Sequence, residues 1–264
     1  MRILHILCDL SGGGAERLVL ELCRASRHQT TVATVQPGGA LAPAFAAASI
    51  EVRCAGRRRR RLGLRALARI ARWSADFDLV HTHLWAGDLW GRTGAQLAGR
   101  PVVTTEHNAR ADSPLRGALW RGMAPLSDAI VCVSEAARLA LVADGLDPSR
   151  LTVIANGIDL SRFTPLPPTT PTRRRVLAMG RLTEQKGFDV LLRAVIDSPG
   201  LELTIVGEGE LRGPLQALVE QTGGRARLAG WVPDVRPLLA AADVVVVPSR
   251  WEGFGLVAAE SMAC

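Results

Sequence analysis

Lys186 is the only lysine among 32 basic Lys and Arg side chains. It lies in Gly180-Arg181-Leu182-Thr183-Glu184-Gln185-Lys186-Gly187, directly after the apolar run Val176-Leu177-Ala178-Met179. Where arginine serves nearly every basic position, a single ammonium points to a place where a planar guanidinium does not fit the task. An apolar run, a turn carrying Arg181 and Lys186, and then Phe188, Leu191, Leu192 and Val195 at helical spacing put two cations beside a helix N-terminus. Helix-end N–H groups and fixed positive charge both favour an anion there. A strand-to-helix turn with two solvated charges accounts for the octapeptide equally well.

Further groups lie where the pattern hands strands over to loops or helices. Glu252 follows the apolar Val244-Val245-Val246-Val247, and Glu260 lies on the helical pattern after it. Gly253 and Gly255 between them leave backbone N–H groups open. Two carboxylates so placed suit separate hydroxyls of one extended ligand better than paired acid/base work; two loop acids with no ligand fit as well. Ser11-Gly12-Gly13-Gly14-Ala15-Glu16 opens the first helix and Ile205-Val206-Gly207-Glu208 ends a later strand, each a turn through which a ligand can approach backbone. The first is not the G-x-G-x-x-G dinucleotide pattern, and a plain tight turn also fits. His81 and His83, two apart on a strand, share a face and could pair on a metal, but no third ligand is evident nearby. One packing and the other lining a cleft is the simpler reading. His107 in Thr105-Glu106-His107-Asn108 ends the next strand and is either a hydrogen-bond donor or a structural histidine. Asp76-Phe77-Asp78 mimics the acidic motif of metal-dependent sugar transferases, but at the wrong end of its strand, and reads as a strand-entry turn.

A formal charge of +7 and a pI near 10.3 call for an anionic partner: nucleic acid, an anionic membrane face or a phosphorylated small molecule. With 4% aromatic residues and no tyrosine there is little to stack bases on, so no nucleic acid is expected. The consecutive Arg57, Arg58, Arg59, Arg60 and Arg61 precede Leu62, Leu64, Leu67, Ile70 and Trp73 at helical spacing. They form either a solvated basic face or a contact with anionic lipid. No run approaches the ~18 apolar residues of a membrane span. The five cysteines, at 8, 23, 54, 132 and 264, share no metal or disulfide spacing, and Cys8 and Cys132 lie in apolar strand-like runs, so core thiols in a reducing cytoplasm are expected.

Short apolar runs alternate with helix-length segments, the pattern of parallel α/β sheets. Strands are predicted near 2–7, 30–36, 51–55, 78–83, 101–106, 129–134 and 151–155, then near 175–179, 201–206, 226–229 and 243–248. Helices are predicted near 14–27, 41–48, 63–75, 88–98, 114–126 and 135–143, then near 187–196, 210–221, 235–242 and 255–263. Residues 164–172 carry four prolines in nine positions and read as a linker. The expectation is two doubly wound Rossmann-like domains: 1–163, a Pro-rich linker over 164–174, and an incomplete second domain over 175–264 that stops inside a helix.

Taken together these pieces resemble the family 4 glycosyltransferases, retaining enzymes of the GT-B fold. The resemblance runs in order through residues 12–16, His81 and His83, 105–108, Asn156-Gly157-Ile158-Asp159, 180–187, 207–210, Gly230-Trp231-Val232 and 252–260. It implies transfer of a sugar from a nucleotide-diphosphate sugar, the co-substrate, to a hydroxyl of a glycan or lipid-linked acceptor, in cell-envelope synthesis. The second domain would hold the donor and the first the acceptor. Arg181 and Lys186 would bind the diphosphate, with no cofactor and no metal. Glu252 would meet the sugar hydroxyls and Glu260 the ribose, while Gly207, Gly253, Phe254, Gly255 and Leu256 complete the donor site. His107 would contact the sugar, Gly13 and Gly14 the phosphates or acceptor, and His81 and His83 the acceptor side. His107, Arg181, Lys186 and Glu252 form the implied catalytic set. The enzyme would be cytoplasmic, peripheral at the inner membrane face through residues 57–61. The alternative is a truncated, inactive protein that binds nucleotide sugar or polyanion. Another GT-B activity, such as an epimerase or a phosphorylase, fits the paired cations and acids less well.

Overall fold

After the exposed Arg2, residues 3–7 of the first strand are an aliphatic run broken by one histidine, with no solvent-facing side: Leu4, Ile6 and Leu7 are fully buried and His5 nearly so. Such a strand needs cover on both faces, which parallel strand–helix–strand connections supply. A computed structural model of the chain describes residues 1–56, 63–108, 114–165, 167 and 174–264.

In chain order the first part comprises β1 (Arg2–Leu7), α1 (Gly14–Ala25), β2 (Gln29–Thr34), α2 (Ala42–Ala47), β3 (Glu51–Cys54), α3 (Leu64–Ser74) and β4 (Leu79–His83). It continues with α4 (Leu84–Leu97), β5 (Val102–Glu106), α5 (Pro114–Met123), β6 (Ala129–Cys132), α6 (Glu135–Ala143) and β7 (Leu151–Val153). All pairings are parallel and the strand order is β3-β2-β1-β4-β5-β6-β7. Leu4 and Ile6 pack with Ile70, Val80 and Ala95 on one face, and Leu7 with Val19, Leu20 and Phe45 on the other. Ser134 caps α6 as its position suggests, accepting from the Ala137 N–H at 3.1 Å.

Two details differ from the sequence expectation. The helix predicted from 88 begins at Leu84, directly after β4, because Leu84 takes a left-handed φ of +63° and turns the chain with no loop. Helix α3 buries Ala66, Ile70 and Ser74, whereas Leu64 is 83% exposed. Its core face is therefore narrower and rotated from the leucine stripe, since small residues let the helix sit close to α4. Arg57, Arg58, Arg59, Arg60 and Arg61 lie outside the described residues.

The second part runs β8 (Arg174–Met179), a 3₁₀ turn at Glu184–Lys186, α7 (Phe188–Ile196), β9 (Leu201–Val206), α8 (Arg212–Gln221), β10 (Ala226–Gly230), α9 (Arg236–Ala241), β11 (Val244–Val245) and α10 (Leu256–Ala263). Its parallel sheet has the order β10-β9-β8-β11. Val176, Ala178, Phe188, Leu192 and Ile205 share one core, and Leu177, Met179, Val206 and Leu239 the other. Strand β11 is shorter than the predicted 243–248: only Val244 and Val245 pair with β8, followed by one bond from Val246 N–H to the Leu177 carbonyl at 2.9 Å.

Contacts divide the chain into two compact units, Met1–Asn156 and Gly157–Cys264. Phe163, ahead of the proline-rich stretch, already packs with Leu177, Met179 and Leu239 of the second unit. Of residues 164–174 only 164, 165, 167 and 174 are among those described. Among the described residues no helix is long and apolar enough to cross a membrane.

Each sheet reverses its strand order once, between β1 and β4 in the first unit and between β8 and β11 in the second. Chains leave these neighbouring strands toward opposite faces, opening a crevice at their carboxyl ends where α/β sheets bind ligands.

Candidate active site

In the second unit the loops leaving β8 and β11 meet at such a reversal. After β8 the backbone of Gly180 runs so close to Gly207 that a Cβ on Gly207 would lie 1.9 Å from the Gly180 carbonyl oxygen. The 3₁₀ turn then ends at Gly187, with φ +63°, where a Cβ would lie 2.2 Å from the Pro248 carbonyl oxygen. That contact stitches the loop after β11 onto the turn. The Arg250 N–H donates to the Gln185 carbonyl at 2.8 Å, and Gln185 Nε2 donates to the Trp251 carbonyl at 3.1 Å. The Arg250 guanidinium forks onto Asp189 at 2.9 and 2.8 Å and reaches the Glu184 carbonyl at 2.8 Å. This arginine hydrogen-bonding holds the Asp189 carboxyl below its ordinary range.

The stitched loops bring Lys186 Nζ to 2.6 Å from Glu252 Oε1, an oxygen that also accepts from Ser249 Oγ at 2.6 Å. Both partners of the ion pair are partly solvent-accessible. Arg181 is exposed on the same turn, and the stem of Lys186 lies against Gly180. Gly255, at φ +87°, precedes α10, whose first residue is Leu256, so Gly253, Phe254 and Gly255 lead into a helix N-terminus. Glu260 lies half-buried one turn along α10.

In the first unit the reversal gathers histidines. His5 of β1 stands opposite His81 of β4 in register, and His83 opposite Thr105 of β5. Parallel partners share a face, as do residues two apart, so His5, His81, His83 and Thr105 all project to one side of the sheet. His107, just past β5, joins them. His5 Nδ1 lies 3.1 Å from His83 Nε2, and His83 Nδ1 lies 3.1 Å from His107 Nε2. His81 Nε2 lies 2.8 Å from Thr105 Oγ1. Burial disfavours the imidazolium throughout: it pulls His5 down to about 3, His81 and His107 to about 4, and His83 well below its usual value. The four rings are neutral at physiological pH.

The opposite face of the same strands carries charge. Arg92 of α4, fully buried, donates through Nε to Thr104 Oγ1 at 3.0 Å and lies 4.5 Å above the Trp120 ring. Trp120 Nε1 donates to Asp88 Oδ2 at 2.9 Å, and the Asp88–Arg92 pair closes at 3.7 Å. Glu106, adjoining His107, accepts from the Asn108 N–H at 2.9 Å. Burial first, then the charge of Asp88, raises its carboxyl to about 8.

Several sequence expectations are thereby placed. Lys186 and Glu252 come together, as do His81, His83 and His107, each set within its own unit. Gly13 precedes α1 and Gly14 begins it, but a Cβ on Gly13 would lie 2.6 Å from Glu16 Oε2, so this helix end already faces a carboxylate of its own. Asp78 sits at the amino end of β4, where it accepts the Arg2 N–H at 2.7 Å, away from the site. His5 supplies the third imidazole not evident from local spacing: among the described residues His5, His81 and His83 offer ligand atoms within 4.8 Å of one another. They are the residues that could hold a metal, although their nitrogens already engage one another and Thr105. Sequence reasoning passed over His5, Asp189, Ser249 and Arg250. The available signal for His5 was a lone polar residue inside the aliphatic run of residues 3–7.

Against known proteins, the glycosyltransferase family 4 pattern matches residues 12–162, and that of glycosyl transferases group 1 matches 173–264. The chain belongs to glycosyltransferase family 4. It is 32% identical over 218 residues to a D-inositol 3-phosphate glycosyltransferase of Mycobacterium bovis, covering 71% of this chain and 45% of that protein. It is 48% identical over 90 residues to the lipopolysaccharide core biosynthesis glycosyltransferase LpsE of Rhizobium meliloti, covering 33% of this chain and 26% of the other. The chain thus spans between a quarter and a half of the curated relatives it matches. The crystal structure of Anabaena Alr3699/HepE in complex with UDP-glucose superimposes over the whole chain and 78% of its own, with a TM-score of 0.89 at 23% identity. That likeness shows the GT-B fold, with its two parallel-sheet α/β units, expected from the sequence.

Proposed function

We propose that this family 4 member is a retaining glycosyltransferase that moves a sugar from a nucleotide-diphosphate sugar to a hydroxyl acceptor without a metal ion. The observation that carries the reading is the 2.6 Å pair of Lys186 and Glu252 at the strand-order reversal of the second unit. Before donor binds, each neutralises the other. A diphosphate attracts Lys186 and Arg181, which frees Glu252 to accept from the sugar's hydroxyls while Ser249 retains one of its oxygens. One ion pair is exchanged for two ligand contacts. As the bond from the anomeric carbon to the phosphate oxygen breaks, negative charge grows on the diphosphate, and the fixed cations stabilise it there. The acceptor oxygen bonds to the same face of that carbon, and its proton passes to the departing phosphate oxygen. Glu260 accepts from the ribose hydroxyls. Gly207 and the N–H groups of residues 253–256 line the donor, with His107 at the sugar and His81 and His83 on the acceptor side.

The name of one relative, a lipopolysaccharide core biosynthesis glycosyltransferase, supports an envelope setting with a glycan or lipid-linked acceptor; the name of the other points to a small phosphorylated acceptor, D-inositol 3-phosphate. A cytoplasmic enzyme touching the inner membrane face through Arg57–Arg61 belongs to the same proposal. The deciding experiment incubates the protein with a panel of sugar nucleotides, UDP-glucose first, and follows nucleoside diphosphate release and anomeric configuration by NMR, with and without EDTA. Retained configuration and indifference to EDTA are expected. Inverted product, or strict dependence on a divalent ion, defeats the mechanism. Donor binding without turnover identifies the chain as a nucleotide-sugar-binding protein instead.

A further inference from the structure

The histidine chain of the first unit has a property that its members lack singly. Each N···N contact of 3.1 Å requires one proton: one nitrogen must donate and the other accept. The first contact joins His5 Nδ1 to His83 Nε2, and the second joins His83 Nδ1 to His107 Nε2. A neutral imidazole carries one N–H. If His83 bears it on Nε2, that group donates to His5, whose Nδ1 must be bare. His83 Nδ1 is then also bare and must receive an N–H from His107 Nε2. All three rings are Nε2–H tautomers. If His83 bears its proton on Nδ1, the same reasoning makes all three Nδ1–H tautomers. Any mixed set faces lone pair to lone pair or N–H to N–H at 3.1 Å in a buried site, at the full cost of unsatisfied polar groups.

We infer that His5, His83 and His107 form one tautomeric unit, so that His5 and His83 act as positioning residues which decide together whether His107 offers its other nitrogen, Nδ1, as a donor or as an acceptor. The rule requires neutral rings, and His5 and His83 are almost wholly buried, where a charged ring is disfavoured. Passage between the two states conserves protons. Each state carries three ring protons, one on each imidazole. A ligand oxygen without a proton at His107 selects the all-Nδ1–H state, and a ligand hydroxyl that donates selects the all-Nε2–H state. The choice is felt two rings away.

A metal on His5, His81 and His83 is the competing use of these rings. The hydrogen-bonded chain fits the geometry better, because the two nitrogens of closest approach are already spaced as donor and acceptor. The functional side of the inference rests on the proposal that His107 meets the donor sugar; the tautomer rule does not.

The test is long-range 15N–1H correlation NMR on the 15N-histidine-labelled chain, which separates the two tautomers and the imidazolium by the shifts of both ring nitrogens. In the ligand-free protein at neutral pH, His5, His83 and His107 are expected to show the same tautomer, whichever it is. One of the three in the other tautomer, one protonated, or stoichiometric zinc in the purified protein with metal-shifted ring nitrogens overturns the inference. His83→Leu is expected to release His5 from His107, giving each an independent tautomer mixture. Should that variant fail to fold, His5→Phe serves: His83 and His107 must still agree, and disagreement again overturns the rule. UDP-glucose added to the wild type then addresses the other reading. An unmoved His107 signal removes its contact with the donor while leaving the tautomer rule standing.

Discussion

At β1 and β4 the polar groups are imidazoles carried on the strands themselves, mostly buried, and burial keeps them uncharged. At β8 and β11 they are an ammonium and a carboxylate carried on loops, partly solvated, and charged. Both sets occupy the same topological position, the reversal of strand order. The difference follows from what bears the side chain. A strand inside a doubly covered sheet takes its residues out of water, where only neutral, mutually hydrogen-bonded groups are tolerated. A loop beyond the sheet edge leaves water at hand, so a separated charge pair survives there and can be re-partnered by a charged ligand.

The comparison breaks most readily at a place where the first unit does bury charge. Arg92→Ala leaves Asp88 buried beside Trp120 with no counter-charge, and about 3–5 kcal/mol of stability is expected to be lost. Urea denaturation with an unshifted midpoint would show that the pair contributes nothing.

Acid separates the units next. Histidines with folded pKa values below the unfolded value near 6.5 let the unfolded chain bind protons first, so their contribution is complete above that pH. It is lost as pH falls through 6.5 toward the folded values of about 4 and 3. Glu106, raised to about 8, and Asp88, also raised, act in the opposite sense, stabilising the fold as pH falls through their folded values toward the unfolded ones. Four histidines outweigh two carboxyls, and a net loss on the order of a few kcal/mol is expected between pH 6.5 and 4.5. In the second unit Asp189 and Asp234 have lowered values, so what they contribute is lost only below the ordinary carboxylate range. Amide exchange at pH 7 and pH 5 resolves the two. Equal loosening of β1 and β8 would erase the contrast.

A third, chemical difference is sharpened by Lys186→Ala, which is expected to cut transfer roughly 10²-fold if about 3 kcal/mol of transition-state binding is removed. Glu260→Ala should cost about as much through the ribose. Turnover close to wild type in both sinks the donor-site assignment. Smallest is the coupling between Asp189 and Arg250. This pair is about a third exposed, so a double-mutant cycle with Asp189→Asn and Arg250→Met should return no more than about 1 kcal/mol. A much larger value would mean that the stitch, rather than the apolar core, holds the second site together.

Much of the second site was legible in one dimension. Lys186 and Gly187 lie in a single turn after a strand, Glu252, Gly253 and Gly255 in a single loop, and local spacing is enough to mark each as a place where backbone and charge meet. Asp189 and Arg250 were not legible, since their contact spans 61 residues and either charge alone looks like a solvated one. His81 and His83 were visible as a same-face pair, while His5 looked like strand filler. Residue types and periodicity by themselves determined the parallel α/β class, the sequence of strands and helices and the loops that carry the charged groups, because burial and hydrogen bonding act there through neighbours along the chain. Only the tertiary structure decided that β1 lies beside β4 with His5 against His81, and that the turn after β8 closes on the loop after β11. Register between strands separated by more than seventy residues is set by packing the whole sheet between its helices, which no local pattern encodes.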